Sequence, residues 1–400
     1  VVASWLITAG AGEDIAFSDG LTYPCGKLSP GTGRPADISP GLDFHWSNLR
    51  MYVVTNATVA ESTLKSFLGG GDGNQILAIG AGLFGEFEDT VNVDTFIGSP
   101  YLSYNFVKGS ANNFFARLIN SKITCDDSNG AGLVATGNLN FANNSFCGIA
   151  GGDCGSSTIE SDIQYRVRSA ATISNMEFYV PAPGVGAKTI TFRVNGVDKT
   201  QTIALADGDW GWFFDDINSD NVDPGDELSC GMTGDAGNVT CQTFRWFSTG
   251  PRQTACTYDG GKAQWGSGYY PIEGTLSTAH GSTTEAPVQA RIRSSLVFKN
   301  LFVRVINNNR DRDDTVTTRK NGAAGNLTVT IPAGTFGVFE DTTHSDTLKD
   351  GDLYNTYYNW TGGTAFTNAS LTIIGVEQFQ GPSGAKSNPI QSKLVAMGLI

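Results

Sequence analysis

One string recurs three times in this chain at a constant spacing of 126 residues: Gly, any residue, an aromatic, Gly, any residue, Phe, any residue, Asp, then a second Asp five positions on. The copies run from Gly82 to Asp89 with Asp94, from Gly208 to Asp215 with Asp220, and from Gly334 to Asp341 with Asp346. A fixed period means one structural unit used in tandem, so what the copies share is scaffold. Three units of this length also fit a 400-residue chain, which is too long for a single core of ordinary size.

Other elements keep the same period. An alternating apolar stretch precedes each string: Asn48 to Val53, Asn175 to Val180 and Asn300 to Val305. Its pattern is that of a half-buried strand. Between the two elements stands a hairpin signal, Arg193-Val-Asn195-Gly196 and Arg319-Lys-Asn321-Gly322, with Gly69-Gly70 at the matching place in the first copy. Asn-Gly suits a two-residue turn because both residues tolerate positive φ. Gly225-Asp226 and Gly351-Asp352 mark a further turn, and each unit closes on an apolar strand at 114–123, 239–247 and 369–379. No amphipathic helix interrupts this sequence of short strands. The expectation is an all-β protein of three tandem antiparallel β-sandwich domains at 1–124, 125–250 and 251–380, with a tail at 381–400.

Composition narrows the function. Fifty glycines and only 16% charged residues suit a turn-rich β protein rather than a charged, disordered chain. A net charge of -13 argues against nucleic acid and anionic membrane as partners, and no apolar run is long enough for a membrane-spanning helix. The seven cysteines fall at different places in the three units. Cys147 with Cys154 and Cys230 with Cys241 could close short loops, or remain free buried thiols.

The strand 300–305, the Arg-x-Asn-Gly hairpin, the stretch 328–341 and the Gly-Asp turn at 351–352 together resemble the tandem jelly-roll modules of virion proteins of tailed bacteriophages and related environmental viruses. The resemblance covers all three units and is densest over 298–379. It implies a jelly-roll form of the sandwich and a place on a virion surface, as a capsid decoration, fibre or related part. It brings no catalytic motif.

The repeat bears on each candidate site. Gly80-Ala-Gly82-Leu-Phe-Gly85 spells a dinucleotide fingerprint, but its first Gly becomes Ala206 and Pro332 in the sister copies and no strand-turn-helix surrounds it. Cofactor binding is therefore not expected. The paired aromatics Phe84/Phe87, Trp210/Phe213 and Phe336/Phe339 are expected to face the core together, brought to one face by a bulge at the intervening glycine. The Asp pairs read as turn caps. In the middle copy Asp216, Asn218, Asp220 and Asp223 also have the oxygen ligands of a calcium loop, without its Gly at the sixth place or its Glu at the twelfth. The run Arg310 to Asp314 reads as a solvated loop. No zinc pattern, nucleophile elbow or phosphate loop is present, so no enzyme is expected.

Two surface features remain. The apolar end Leu394, Val395, Met397, Leu399 and Ile400 suits a strand that docks on another subunit, so that removing 381–400 would leave the domains folded and abolish assembly. Tyr354, Tyr357, Tyr358 and Trp360 are the candidate glycan platform. The expected function is a non-enzymatic structural protein acting through contacts with copies of itself or other virion subunits. The alternatives are an extracellular filament or surface-layer subunit that polymerises by strand addition, and a carbohydrate-binding adhesin. Each places the chain on a virion surface or outside the cell.

Overall fold

The computed structural model describes residues 2–8, 13–16, 44–68, 71–96, 102–110, 112, 114–125, 132–141, 144–147, 157–180, 185–235, 239–248, 252–257, 267–272, 274–275, 282–293, 295–360 and 369–380. Over these the chain is all-β, relieved only by two single 3-10 turns at Glu160–Asp162 and Ala286–Val288.

The first repeat supplies β1 (Val2–Thr8), β2 (Glu13–Ala16), β3 (Phe44–Asn56), β4 (Ser62–Leu68), β5 (Gly71–Ile79), β6 (Gly85–Phe96), β7 (Leu102–Val107) and β8 (Phe114–Cys125). The second supplies β9 (Gly132–Phe141), β10 (Ser145–Cys147), β11 (Tyr165–Arg166), β12 (Ala171–Val180), β13 (Lys188–Val194), β14 (Val197–Leu205), β15 (Gly211–Val222), β16 (Glu227–Gly234) and β17 (Val239–Ser248). The third supplies β18 (Arg252–Thr257), β19 (Gly268–Tyr270), β20 (Gly274–Thr275), β21 (Ala290–Arg291), β22 (Leu296–Asn308), β23 (Asp314–Lys320), β24 (Ala323–Ile331), β25 (Gly337–Leu348), β26 (Leu353–Asn359) and β27 (Ala369–Gln380).

Each repeat forms two sheets. In the first their orders are β1-β8-β3-β6 and β2-β7-β4-β5. The second keeps this arrangement as β9-β17-β12-β15 and β10-β16-β13-β14, and the third as β18-β27-β22-β25 and β19-β26-β23-β24. All pairings are antiparallel except the short β18–β20 contact. The two sheets of a repeat share a core. Met176, Phe178 and Val180 of β12 cluster with Ile190, Phe192 and Val194 of β13, and Leu301, Val303 and Val305 of β22 cluster with Val316 of β23 and Leu327 of β24.

Local chemistry explains the regularities. Along β13, Lys188, Ile190, Phe192 and Val194 are buried and the residues between them are half-buried, the period-2 pattern of a strand with one face on the core. The β13–β14 and β23–β24 hairpins turn at Asn195 (φ 52°) and Gly196 (φ 77°), and at Asn321 (φ 53°) and Gly322 (φ 81°), the backbone expected of Asn-Gly. Gly69 and Gly70 lie outside the described residues. Asn48, Asn175 and Asn300 lie inside their strands rather than ahead of the core pattern, each at positive φ (55°, 53° and 56°). Opposite each, the partner strand bulges by three residues, at 90–92, 216–218 and 342–344. Asn is the side chain best able to hold such a left-handed position.

Candidate interaction surfaces

The repeated Asp residues tie the two sheets together. The first Asp of each pair caps the bulge and also reaches the opposite sheet. Asp89 accepts from the backbone N–H of Val91 (3.1 Å) and Asn92 (3.0 Å) with one oxygen, and from that of Ile76 on β5 (2.9 Å) with the other. Asp215 does the same with Asn218 and Thr202, and Asp341 with Thr343, His344 and Thr328. Burial pushes each of these carboxyls up, but the hydrogen bonds outweigh it and hold all three below the ordinary Asp range. In the first and third copies the second Asp is more deeply enclosed. Asp94 accepts from Asn74 N–H (2.6 Å), the Ser66 hydroxyl (2.5 Å) and the Gln75 amide (3.1 Å), and Asp346 from Asn326 N–H (2.7 Å), Thr318 (2.5 Å) and the Tyr354 hydroxyl (2.6 Å). Turn capping is thus only half of the role of these acids.

The same geometry corrects the calcium reading. Residues 216–218 form the bulge and 219–222 the strand that follows, and Asp220 is buried while Asp216 and Asp223 are exposed. Asp220 spends its oxygens on Thr200 and Gln201, and the Asn218 amide is held by Asp215. Among the described residues no group of three or more His, Cys, Asp or Glu is placed to hold a metal ion.

The aromatic pairs are corrected too. Phe213 and Phe339 pack against their cores, but Phe84, Trp210 and Phe336 are 76%, 65% and 72% exposed. Each pair straddles a turn with two glycines at positive φ, Gly82 and Gly85 (70° and 105°), Gly208 and Gly211 (83° and 107°), Gly334 and Gly337 (66° and 120°). The strand begins only at the second glycine, so the first aromatic rides the turn and points away from the core. Asn56 and Asn308 brace two of these turns, each donating to two turn carbonyls.

The glycan platform is divided by the strand that carries it. Tyr354 and Tyr358 point into the core and donate to the buried Asp346 and Asp314 (2.6 and 2.7 Å), and burial raises both phenol pKa values. Tyr357 lies on the other face against Tyr269, ring centroids 4.7 Å apart, and Trp360 lies under the Arg310 guanidinium at 4.7 Å. Strand alternation forbids one platform of all four. The run 310–314 is likewise no solvated loop at its ends, since Arg310 and Asp314 form a buried ion pair at 3.3 Å. Cys147 and Cys230 are buried and stand directly opposite one another on β10 and β16. Cys154, the Cys241 side chain and the tail residues Leu394, Val395, Met397, Leu399 and Ile400 lie outside what is described.

A site without a forerunner in the motifs above lies between repeats. Ahead of the inner strand, the second repeat reads Gln164-Tyr-Arg166-Val-Arg168 and the third Gln289-Ala-Arg291-Ile-Arg293. Each segment docks on the outer sheet face of another repeat. Arg168 pairs with Glu340 of the third repeat, and Arg293 pairs with the equivalent Glu88 of the first. The Gln164 carbonyl accepts from Arg304 Nε (2.9 Å), and the Gln289 carbonyl from Arg50 Nη1 (2.8 Å). Glu227 bridges Arg166 and Arg304, and Glu86 bridges Arg291 and Arg50. Burial raises both glutamates, and their arginine partners bring them below the ordinary range. The first contact adds an apolar knob, Tyr165, edge-on to Phe302 (5.0 Å between centroids) and close over Gly375, where a Cβ would meet its ring at 2.8 Å. An open groove of about 540 Å³ beside it is walled by Glu160, Arg166, Asn195 and Glu227, and these charges are already matched within the protein.

A scan against protein-family models finds no match to this chain, and a search of curated proteins finds no relative.

Proposed function

We propose that the chain is a non-enzymatic structural protein of three tandem jelly-roll units, placed on a virion surface and acting through protein–protein contacts. The observation that carries the reading is the pair of docking contacts, in which partly covered arginines and glutamates and the buried Tyr165 are committed to fixing one repeat against another. The jelly-roll assignment is supported by strand order: with the strands of a repeat numbered one to eight, the order 1-8-3-6 facing 2-7-4-5 recurs in all three. The virion assignment rests on the resemblance of the repeat to such modules. The units so proposed are those expected from the repeat, 1–124, 125–250 and 251–380.

The surfaces offered to partners are the turns of Phe84, Trp210 and Phe336, one exposed aromatic at the same place in each unit. Exposed rings on a rigid turn are the residues that interfaces use as anchors. The test is sedimentation and negative-stain microscopy of the purified chain, alone and after replacement of the three aromatics by Ser. Defined assemblies of the parent that dissolve in the triple variant are expected. A chain that stays monomeric at every concentration and binds no particle of its source would overturn the reading.

A further inference from the structure

The two docking contacts are one operation applied twice. The second repeat docks on the third and the third on the first, with Arg168–Glu340 and Arg293–Glu88 at matching positions and the surrounding Arg–Glu bridges built differently in the two. The neighbouring edges agree: β18 of the third repeat runs beside β9 of the second, and β20 beside β1 of the first. Such a head-to-tail contact uses different surfaces on its two sides, so it either closes into a ring or continues from chain to chain. In a chain of three units, two contacts leave one docking side, on the first repeat, and one receiving face, on the second. We infer that these two meet within the chain, so that the first repeat covers the outer face of the β12–β15 sheet and the three units form a pseudo-threefold ring.

The receiving face itself carries the argument. In the two covered faces the second residue after the left-handed Asn is enclosed: Arg50 is 1% exposed and Phe302 2%. Glu177 is the counterpart in the second repeat, on the outer side of its strand, and it is only 9% exposed within a single chain. An outward carboxylate on an uncovered sheet would stand largely in water. The face is therefore covered at its centre within the same chain. The chemistry of this third joint differs. The position of Glu88 and Glu340 is taken by Phe214, which stacks on Trp212 at 6.1 Å and remains 54% exposed. The joint between the first and second repeats thus lacks the Arg–Glu pair of the other two, and its rim at Phe214 stays open.

This inference rests on the equivalence of the three units and is independent of virion assembly, since a ring that never assembles would sink the proposed function and leave the ring intact. The test is short-range amine–carboxyl crosslinking of the full chain, mixed one to one as ¹⁴N and ¹⁵N protein, with mass spectrometry of the monomer fraction. Crosslinks joining the first and second repeats are expected, with both halves carrying the same isotope. Mixed-isotope links across that joint would overturn closure within the chain. So would their absence while links between second and third, and third and first, are found. In Glu177→Lys the first-to-second links should be lost and the other two sets retained, with an unchanged far-ultraviolet spectrum. Retention of all three sets would overturn the assignment of this face. Should that variant fail to fold, the parent chain alone decides the matter.

Discussion

Asp346 is 2% exposed, and its two oxygens accept from a backbone N–H, a threonine hydroxyl and a tyrosine hydroxyl. Removing the carboxylate would deprive two buried hydroxyls and one part-buried N–H of this acceptor, each buried donor costing about 1–3 kcal/mol. Asp346→Ala is therefore expected to lower the unfolding free energy by about 3–5 kcal/mol in a denaturant titration. Trp210→Ala, at an exposed turn, should change it by less than about 0.5 kcal/mol. A large loss there would restore the core reading of that aromatic. Gly325 shows how closely the inner Asp is packed, since a Cβ at that position would lie 2.5 Å from Thr318 Oγ1 and 2.6 Å from Asp346 Oδ2. In the second repeat the matching residues are Lys199 and Phe192, and Thr200 supplies the hydroxyl to Asp220 instead. Glycine and hydroxyl thus vary together while the carboxylate is kept. The bulge-capping acids Asp89, Asp215 and Asp341 give a pH dependence. Burial raises them, the hydrogen bonds lower them further, and the folded pKa of each ends below its unfolded value. Their stabilisation is complete above the unfolded value of about 3.9 and is lost as pH falls through the folded one. Urea midpoints should hold from pH 7 to about 5 and fall steeply below about 4. Asp341→Asn should flatten that fall while lowering the midpoint at neutral pH.

At the scale of elements, what could be read from the sequence was whatever depends on neighbours along the chain. The Asn195-Gly196 and Asn321-Gly322 hairpins, the period-2 strands and the Gly-Asp turns follow from backbone preferences that act over two to four residues. The exposed aromatics did not follow, because an apolar residue on a turn and one on a strand look alike until the second positive-φ glycine fixes where the strand starts. The docking segments were hidden for another reason. Gln-x-Arg-x-Arg repeats at 125 rather than 126 residues and is short, and its meaning lies in a partner face far away in sequence, such as Gln289 against Arg50. A search for paired arginines within one residue of the repeat period would have found it, though not its partner. Tyr165 tests the element directly. It fills the space above Gly375 and against Phe302, so Tyr165→Ala should cost about 3–5 kcal/mol. The loss should appear as earlier melting of the second and third repeats, followed by hydrogen exchange. Equal loss of protection in all three repeats would mean that the knob does not act at this joint.

For the whole molecule, the central question is whether the repeats behave as separate beads or as one body. The Arg168–Glu340 pair answers it because both members are outside their own cores and partly covered, with side-chain exposures of 23% and 18%. Reversing either charge sets like charges against each other across the joint without touching a core position. Arg168→Glu or Glu340→Arg alone should destabilise docking, splitting a single thermal transition into two. The double reversal should restore most of the loss, with a coupling energy of about 1–3 kcal/mol from the double-mutant cycle. If the pair were an ordinary surface contact, the coupling would lie below about 1 kcal/mol and fade in 0.5 M salt. The equivalent cycle on Arg293 and Glu88 should give a matching value, because that pair occupies the same positions in the next contact. Agreement between the two cycles would establish that one interface design holds the second repeat to the third and the third to the first.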